Sequence, residues 1–432
     1  MIPTALVLLS LLVPAPGAAP LPHPTGLVDP VARSGPADRS HRPDPTGPAV
    51  VIGGGLSADN GAIWTAILDR RSGPGPICVI PAASADPQAS ARSAGERFRR
   101  WGGRASVETL ELSTEAPERA RDPEMVSRVE ACGGFHFTGG VQSRITEVLA
   151  PDGRETPVLE AIRQRHAEGA VVAGSSAGAA IMTDPMISGG SSEGALETGT
   201  DGGVRLDPGL GFVPGAIMDQ HFLARGRIGR LAVAVLEADD PVTGFGIDED
   251  TALIVEAGGV LVVGASGVVV VSAEPGPGDP DGEPSSIRTV RIHLLGDGDR
   301  LDPATGQVTP APGKRPIPGG AEPGEDEARG GPEDGIFQRW TFLHELHALA
   351  GGPGAPRHHE AAGHRIILER AAGFRAWARD GLEALEIPGG QGGTGPRGTP
   401  GGLGAGPVLL HMVSPADPEA RDPAGITPRE GA

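Results

Sequence analysis

The sequence predicts an α/β fold: a mostly parallel sheet in a three-layer sandwich, with antiparallel strands at its edge and a small C-terminal appendage. Three observations predict it. Short apolar runs recur and end at Gly or Pro, which reads as buried parallel strands running into loops. Helix-like stretches lie between these runs, the alternation that crossover units require. From Gly244 onward the β-rich runs become closely spaced and joined by glycine, as in antiparallel strands.

Ordered structure is expected to begin at Ala49-Val50-Val51-Ile52, which ends in Gly53-Gly54-Gly55. Ile77–Ile80, Phe135–Thr138 and Ala170–Ala173 repeat that pattern, and helices are expected over Ala89–Trp101, Pro123–Ala131 and Pro157–Glu168. The last two begin with proline, which suits the first helical position. Thr251–Glu256, Val260–Val263 and Val268–Ser272 read as antiparallel strands completing the sheet edge, and Val290–Leu295 as the last strand of a main domain spanning 49–302. Residues 303–334 read as a Pro/Gly/Glu linker. The C-terminal segment 335–414 carries a helix over Ile336–Ala350, a β-prone run over His364–Trp377 and a strand over Val408–Val413, and is expected to dock on the main domain. The tail 415–432 reads as disordered.

The chain has 432 residues, a net charge of −19 and 3% aromatic residues with no Tyr, so the core must be built from Val, Ile, Leu and Ala. Gly (69) and Pro (44) are near the level at which low-complexity segments are expected. The charge argues against nucleic acid or an anionic membrane as partner. Cys78 and Cys132 lie in apolar runs and read as buried thiols. An apolar run from Ala5 to Val13, followed by small residues to Ala19, reads as a signal peptide over 1–19, and hence export. The run is shorter than the roughly 20 apolar residues of a membrane anchor. Residues 20–48 read as a disordered Pro-rich spacer.

Gly174-Ser175-Ser176-Ala177-Gly178 stands between a strand and a helical run. A sharp turn there pushes a serine hydroxyl out of the sheet top. The Ala177 N–H then opens the helix and can donate to an oxyanion. His221, in Met218-Asp219-Gln220-His221-Phe222, follows an apolar strand and could take the serine proton. Glu193 and Glu197 lie between Ser176 and His221, and either could orient the imidazole. Arg225, Arg227 and Arg230 form a basic block after His221, and guanidinium forks grip carboxylates.

Taken together these segments resemble the cyanophycinase branch of the serine peptidase family that also holds aspartyl dipeptidase E. The matching pieces are Phe137-Thr138-Gly139-Gly140-Val141-Gln142, Gly174–Ala180, Met186–Glu193, Asp219–Phe222 with its arginines, and Gly246–Thr251. The resemblance implies a flavodoxin/glutamine-amidotransferase-like sheet. It implies Ser176 as nucleophile, His221 as base and Glu193 as third member, with Glu197 as the fallback. It implies Gly140 and Ala177 as oxyanion donors, and Gln142, Asp219, Gln220, Arg225, Arg227 and Arg230 as the substrate pocket. The family usually has Asp at Val141 and Thr at Ser175. The implied reaction is hydrolysis of cyanophycin to β-Asp-Arg dipeptides, in a homodimer by analogy, with no metal or cofactor. An aspartyl or isoaspartyl peptidase, and a non-catalytic secreted peptide-binding relative, are the alternatives. His344-Glu345-Leu346-His347 and His359…His364 miss the zinc-protease spacing, and Gly53-Gly54-Gly55 lacks the dinucleotide fingerprint.

Overall fold

Apolar tetrapeptides that are buried on both faces favour parallel pairing, because only helices on either side can cover them. The strands β1 (Ala49–Ile52), β2 (Ile77–Ile80), β3 (Val107–Thr109), β4 (Gly134–Phe137) and β5 (Val171–Ser175) pair in parallel in the order β3-β2-β4-β5-β1. Between them run α1 (Gly61–Asp69), α2 (Pro87–Gly102), α3 (Pro123–Glu130), α4 (Gln142–Leu149) and α5 (Pro157–Ala167). Asp86 caps α2 through the Ala89 N–H at 2.9 Å, and Asp122 caps α3 through Glu124 at 3.0 Å. Each helix has proline in its first turn, where the missing N–H matters least.

This computed structural model describes residues 47–103, 107–274, 287–317, 335–351, 356–379 and 403–413. The expected leader, the spacer as far as residue 46 and the tail lie outside them.

Beyond β5 come α6 (Ala177–Ala180), β6 (Met186–Gly190), α7 (Ser192–Thr198), β7 (Val204–Asp207), β8 (Ala216–Gln220), α8 (Ile228–Leu236) and β9 (Thr243–Ile247). There follow β10 (Thr251–Glu256), β11 (Gly259–Gly264), β12 (Val268–Glu274), β13 (Ile287–Leu295), β14 (Arg300–Asp302), β15 (Gln307–Thr309) and β16 (Lys314–Pro316). The last described elements are α9 (Thr341–Gly351), β17 (Arg357–Ala361), β18 (His364–Arg379) and β19 (Leu403–Val413). The first sheet has nine strands, with β10, β11, β14 and β15 continuing antiparallel beyond β1. A second, eight-stranded sheet runs β16-β18-β19-β13-β12-β9-β8, with β17 on β18. Only its β8–β9 ladder is parallel.

Two expectations are corrected here. The fold is mixed α/β, but among the described strands antiparallel ladders outnumber parallel ones, because β12 leaves the first sheet edge and starts a second sheet. The C-terminal segment is no small appendage, and the linker contributes β15 and β16. In the pairings of β19, Val290 faces Leu410 and Ile292 faces Val408, while Leu368 faces Leu410 from the other side. These residues share one buried cluster with Leu231 and Val235 of α8 and with Leu343, Leu346 and Leu349 of α9. Each such side chain contributes about 1.5–3 kcal/mol on burial. No single piece of that sequence holds enough apolar residues to show this core. Among the described residues no helix is long and apolar enough to cross a membrane.

Cys78 and Cys132 form a disulfide, not two thiols. Cys78 lies on β2, Cys132 just before β4, and Ile77 pairs with Gly134, so the two Cα atoms stand 5.9 Å apart. That is within bridging range. The bond closes 54 residues of sequence. Its removal by Cys78→Ala with Cys132→Ala is expected to lower unfolding free energy by about 2–4 kcal/mol in urea titration.

His136 of β4 is buried between Trp64 and Phe98, with its Nδ1 unbonded among the described residues. Burial first, and then the charge of Arg97, push its pKa from 6.5 down to about 4. The unfolded chain therefore binds a proton that the folded chain refuses. Stability is full above pH 6.5 and falls as pH drops toward 4, by about 3 kcal/mol from this residue. His136→Leu is expected to flatten that decline in unfolding measured across the same pH window.

Candidate active site

The site lies where strand ends converge. β5 stops at Ser175, and Ser176 takes φ 54° and ψ −109° before α6 begins. That backbone strain holds the serine side chain out at the turn. The Ser176 N–H donates to the Ile52 carbonyl at 3.0 Å, tying the turn to β1.

β8 and β9 run in parallel, with Gln220 opposite Ile247. The residues just past both ends must therefore be neighbours. They are His221 on one side and Asp248, Glu249 and Asp250 on the other. The Ser176 hydroxyl lies 2.9 Å from His221 Nε2, and Glu249 Oε1 lies 2.6 Å from His221 Nδ1. The glycines after β1 complete the seat. A Cβ on Gly54, whose φ is +103°, would fall 2.3 Å from the imidazole Cε1. Only glycine admits the ring there.

The carboxylate that meets the imidazole is thus Glu249, and the expectation of Glu193, with Glu197 in reserve, is corrected. Both of those acids lie on α7 and are exposed. The chain order is Ser, His, Glu. The signal that could have found Glu249 is its place directly after the β9 strand, in the matched block Gly246–Thr251.

Its two neighbours are structural. Asp250 Oδ1 accepts the Ser57 N–H at 2.9 Å and the Asn60 amide at 3.1 Å, fastening the loop after β1. Asp248 is fully buried, and burial raises its pKa to about 6 against the hydrogen bonds from Ser266 and Ala224.

The basic block divides. Arg230 is buried and donates from Nε to Asp219 Oδ2 at 2.7 Å and from Nη1 to the Gly190 carbonyl at 2.8 Å. Arg227 reaches Asp219 Oδ1 at 3.4 Å and the Gln220 carbonyl. Burial lowers its pKa to about 10, helped by Arg230 and Arg225. Asp219 and Arg230 therefore occupy each other, which corrects their placing as open substrate contacts. Arg225 is exposed, and its guanidinium makes no hydrogen bond or ion pair among the described residues. Gln142 donates its amide to the Ile187 and Ser188 carbonyls, both at 3.3 Å. Gln220 is nearly buried, and its Oε1 has no partner among the described residues. Gly139 packs on Ser176, with a Cβ position 3.4 Å from the serine Cβ. Gly140 and Ala177 flank that contact in sequence.

Burial is the largest influence on His221 and lowers its pKa. The Glu249 hydrogen bond opposes it, and the charges of Arg225 and Arg227 add to it. The ring therefore stays neutral, and able to accept a proton, to lower pH than a free imidazole. Such an arrangement can move a hydroxyl proton to the ring while the carboxylate steadies the resulting cation.

Residues 49–263 match peptidase family S51. A cyanophycinase from Nostoc sp. is 37% identical over 245 residues, covering 54% of this chain and 78% of the relative. A cyanophycinase from Synechococcus elongatus is 35% identical over 299 residues, covering 66% and 87%. Among solved structures, a peptidase from an acI-B1 Actinobacterium matches with a TM-score of 0.42 at 20% identity, over 53% of this chain and 92% of the other.

Glu249→Gln is expected to slow the reaction of Ser176 with a fluorophosphonate by about 10²–10⁴-fold. Because Glu249 raises the His221 pKa, the acid limb of that reaction should move to still lower pH. Glu193→Gln should leave both rate and limb near wild type.

Proposed function

This chain belongs to peptidase family S51 and is a serine-type peptidase, and from that premise we propose that it hydrolyses the aspartyl backbone of cyanophycin to β-Asp-Arg dipeptides. The single observation that carries the reading is the relay from the Ser176 hydroxyl through His221 to Glu249. The relatives named cyanophycinase supply the substrate.

In the proposed reaction the Ser176 oxygen attacks the backbone carbonyl as His221 Nε2 takes its proton. The Glu249 carboxylate holds Nδ1–H and stabilises the imidazolium. The N–H groups of Gly140 and Ala177 receive the oxyanion. Collapse breaks the C–N bond, and the imidazolium returns its proton to the leaving amine. Water then attacks the acyl-enzyme as His221 takes its proton, and the imidazolium gives that proton to the Ser176 oxygen as the ester C–O bond breaks. Arg225, exposed beside this relay, is the cation we assign to a substrate carboxylate. Gln142, Gln220 and Arg227 line the rest of the pocket in this reading, with Asp219 and Arg230 acting as their support.

The same proposal includes export, for which the Cys78–Cys132 disulfide and the apolar leader speak, since such bonds persist in oxidising compartments. It includes a homodimer, by analogy with the family, and a flavodoxin/glutamine-amidotransferase-like layer built on the five parallel strands.

Wild-type protein incubated with purified cyanophycin is expected to release β-Asp-Arg, and Ser176→Ala to be slower by at least about 10⁴-fold. Equal release by both proteins overturns the mechanism. Cleavage of Asp-X dipeptides with the polymer left intact overturns the substrate and favours the dipeptidase reading.

A further inference from the structure

After His221 the chain makes a short turn, Leu223–Arg225, before α8 starts at Ile228. Three elements hold it. Asp248 Oδ1 accepts the Ala224 N–H at 3.0 Å. Ser192 donates its hydroxyl to the Gly226 carbonyl at 2.7 Å and accepts the Gly229 N–H at 3.1 Å.

The third element comes from the C-terminal segment. The Trp340 N–H donates to the Leu223 carbonyl at 3.0 Å. The Phe337 carbonyl presses on Gly226 so closely that a Cβ there would stand 1.7 Å from the oxygen. The Phe337 ring reaches α8, with its Cζ 3.0 Å from a Cβ position on Gly229. Phe337 and Trp340 are buried. Trp340 takes φ 64°, a left-handed conformation that a bulky residue keeps only where its surroundings enforce it. The strain therefore sits where the C-terminal segment grips the turn.

We propose that residues 336–340 are a positioning element for the reaction: they fix the Leu223–Arg225 turn and so set the place of Arg225 relative to His221. The C-terminal segment is then part of the catalytic apparatus, although none of its described residues is hydrogen-bonded to Ser176, His221 or Glu249. The inference rests on the reading of His221 as the base. Its physical basis is electrostatic. His221 faces Glu249 from the β9–β10 turn, and Arg225 and Arg227 from its own turn and the start of α8. Ser176 faces it from the β5 end and Gly54 from the β1 end, neither bringing a charge. Of the two cations, Arg225 is the exposed one, and its distance from the ring depends on the turn.

The test uses the full chain with Phe337→Ala, Phe337→Leu, Arg225→Gln and the double variant Phe337→Leu/Arg225→Gln. The His221 titration is followed by NMR, and kcat and KM are measured separately. Phe337→Ala is expected to raise the His221 pKa, in the same direction as Arg225→Gln. It should lower kcat/KM by roughly ten- to a hundredfold, the range for a catalytic group misplaced by about 1 Å. Phe337→Leu, which keeps part of the packing on Gly229, should show both effects in weaker form.

A lowered melting temperature with wild-type titration and kcat/KM overturns the proposal and leaves a merely structural role. If Phe337→Ala does not fold, the cycle between Phe337→Leu and Arg225→Gln decides. Non-additive shifts of the His221 pKa support coupling through the turn, and additive shifts overturn it. The titration needs no substrate. A wild type that leaves cyanophycin intact therefore sinks the proposed substrate while the titration still decides this proposal.

Discussion

One backbone hydrogen bond joins the two halves of the site: the His221 N–H donates to the Gly53 carbonyl at 2.7 Å. Gly53 directly follows β1 of the first sheet, and His221 directly follows β8 of the second. Ser176 is tied to that same first strand one residue earlier, through Ile52. The end of β1 is thus the common reference for hydroxyl and imidazole. Their separation of 2.9 Å is set by short backbone links, with little left to side-chain freedom. A hydrogen bond of this kind contributes about 1 kcal/mol to stability. Its larger effect is geometric, since the positions of two reacting groups follow from it.

Glu249 enters by the same logic. Asp250 closes the first sheet against β9 by donating its N–H to the Gly54 carbonyl at 2.8 Å and accepting from the loop over β1. The three consecutive acids are therefore divided among three tasks. Asp248 braces the turn after His221, Glu249 meets the imidazole, and Asp250 holds the β1 loop. A cluster of three acids would repel itself if all faced one way. Here each points to its own donor.

What the sequence disclosed was local. The turn at Ser176 is written in Gly174–Gly178 between a strand and a helix, and His221 stands directly after an apolar strand. Both can be read without knowing which strands are neighbours. Glu249 could not be read that way, because its partner depends on β8 and β9 lying side by side in parallel register. Glu193 is as many residues from His221 as Glu249 is, on the other side of it, and its side chain is exposed on α7. The Cys78–Cys132 bond was hidden for the same reason, since only the adjacency of β2 and β4 brings the two residues within reach. The second sheet was hidden by fragmentation. β13, β18 and β19 are each readable as strands, but their common core with α8 and α9 exists only when all are assembled.

The arginine block shows how burial changes what a motif can do. Read from the sequence, three arginines and an aspartate beside the imidazole form a charged pocket. In the fold, Arg230 is 5% exposed and Asp219 is 1% exposed, so neither charge could remain there without the other. Their pairing carries outward, because Arg230 also holds the Gly190 carbonyl at the end of β6. Gln142 holds the carbonyls of Ile187 and Ser188 in the same strand. The β6 hairpin is therefore fastened between the start of α4, which follows Gly140, and the end of β8, which leads to His221. Charge at this site goes first into fixing walls. Of the three arginines, Arg225, carried on the turn that the C-terminal segment supports, is the one left facing solvent beside the base.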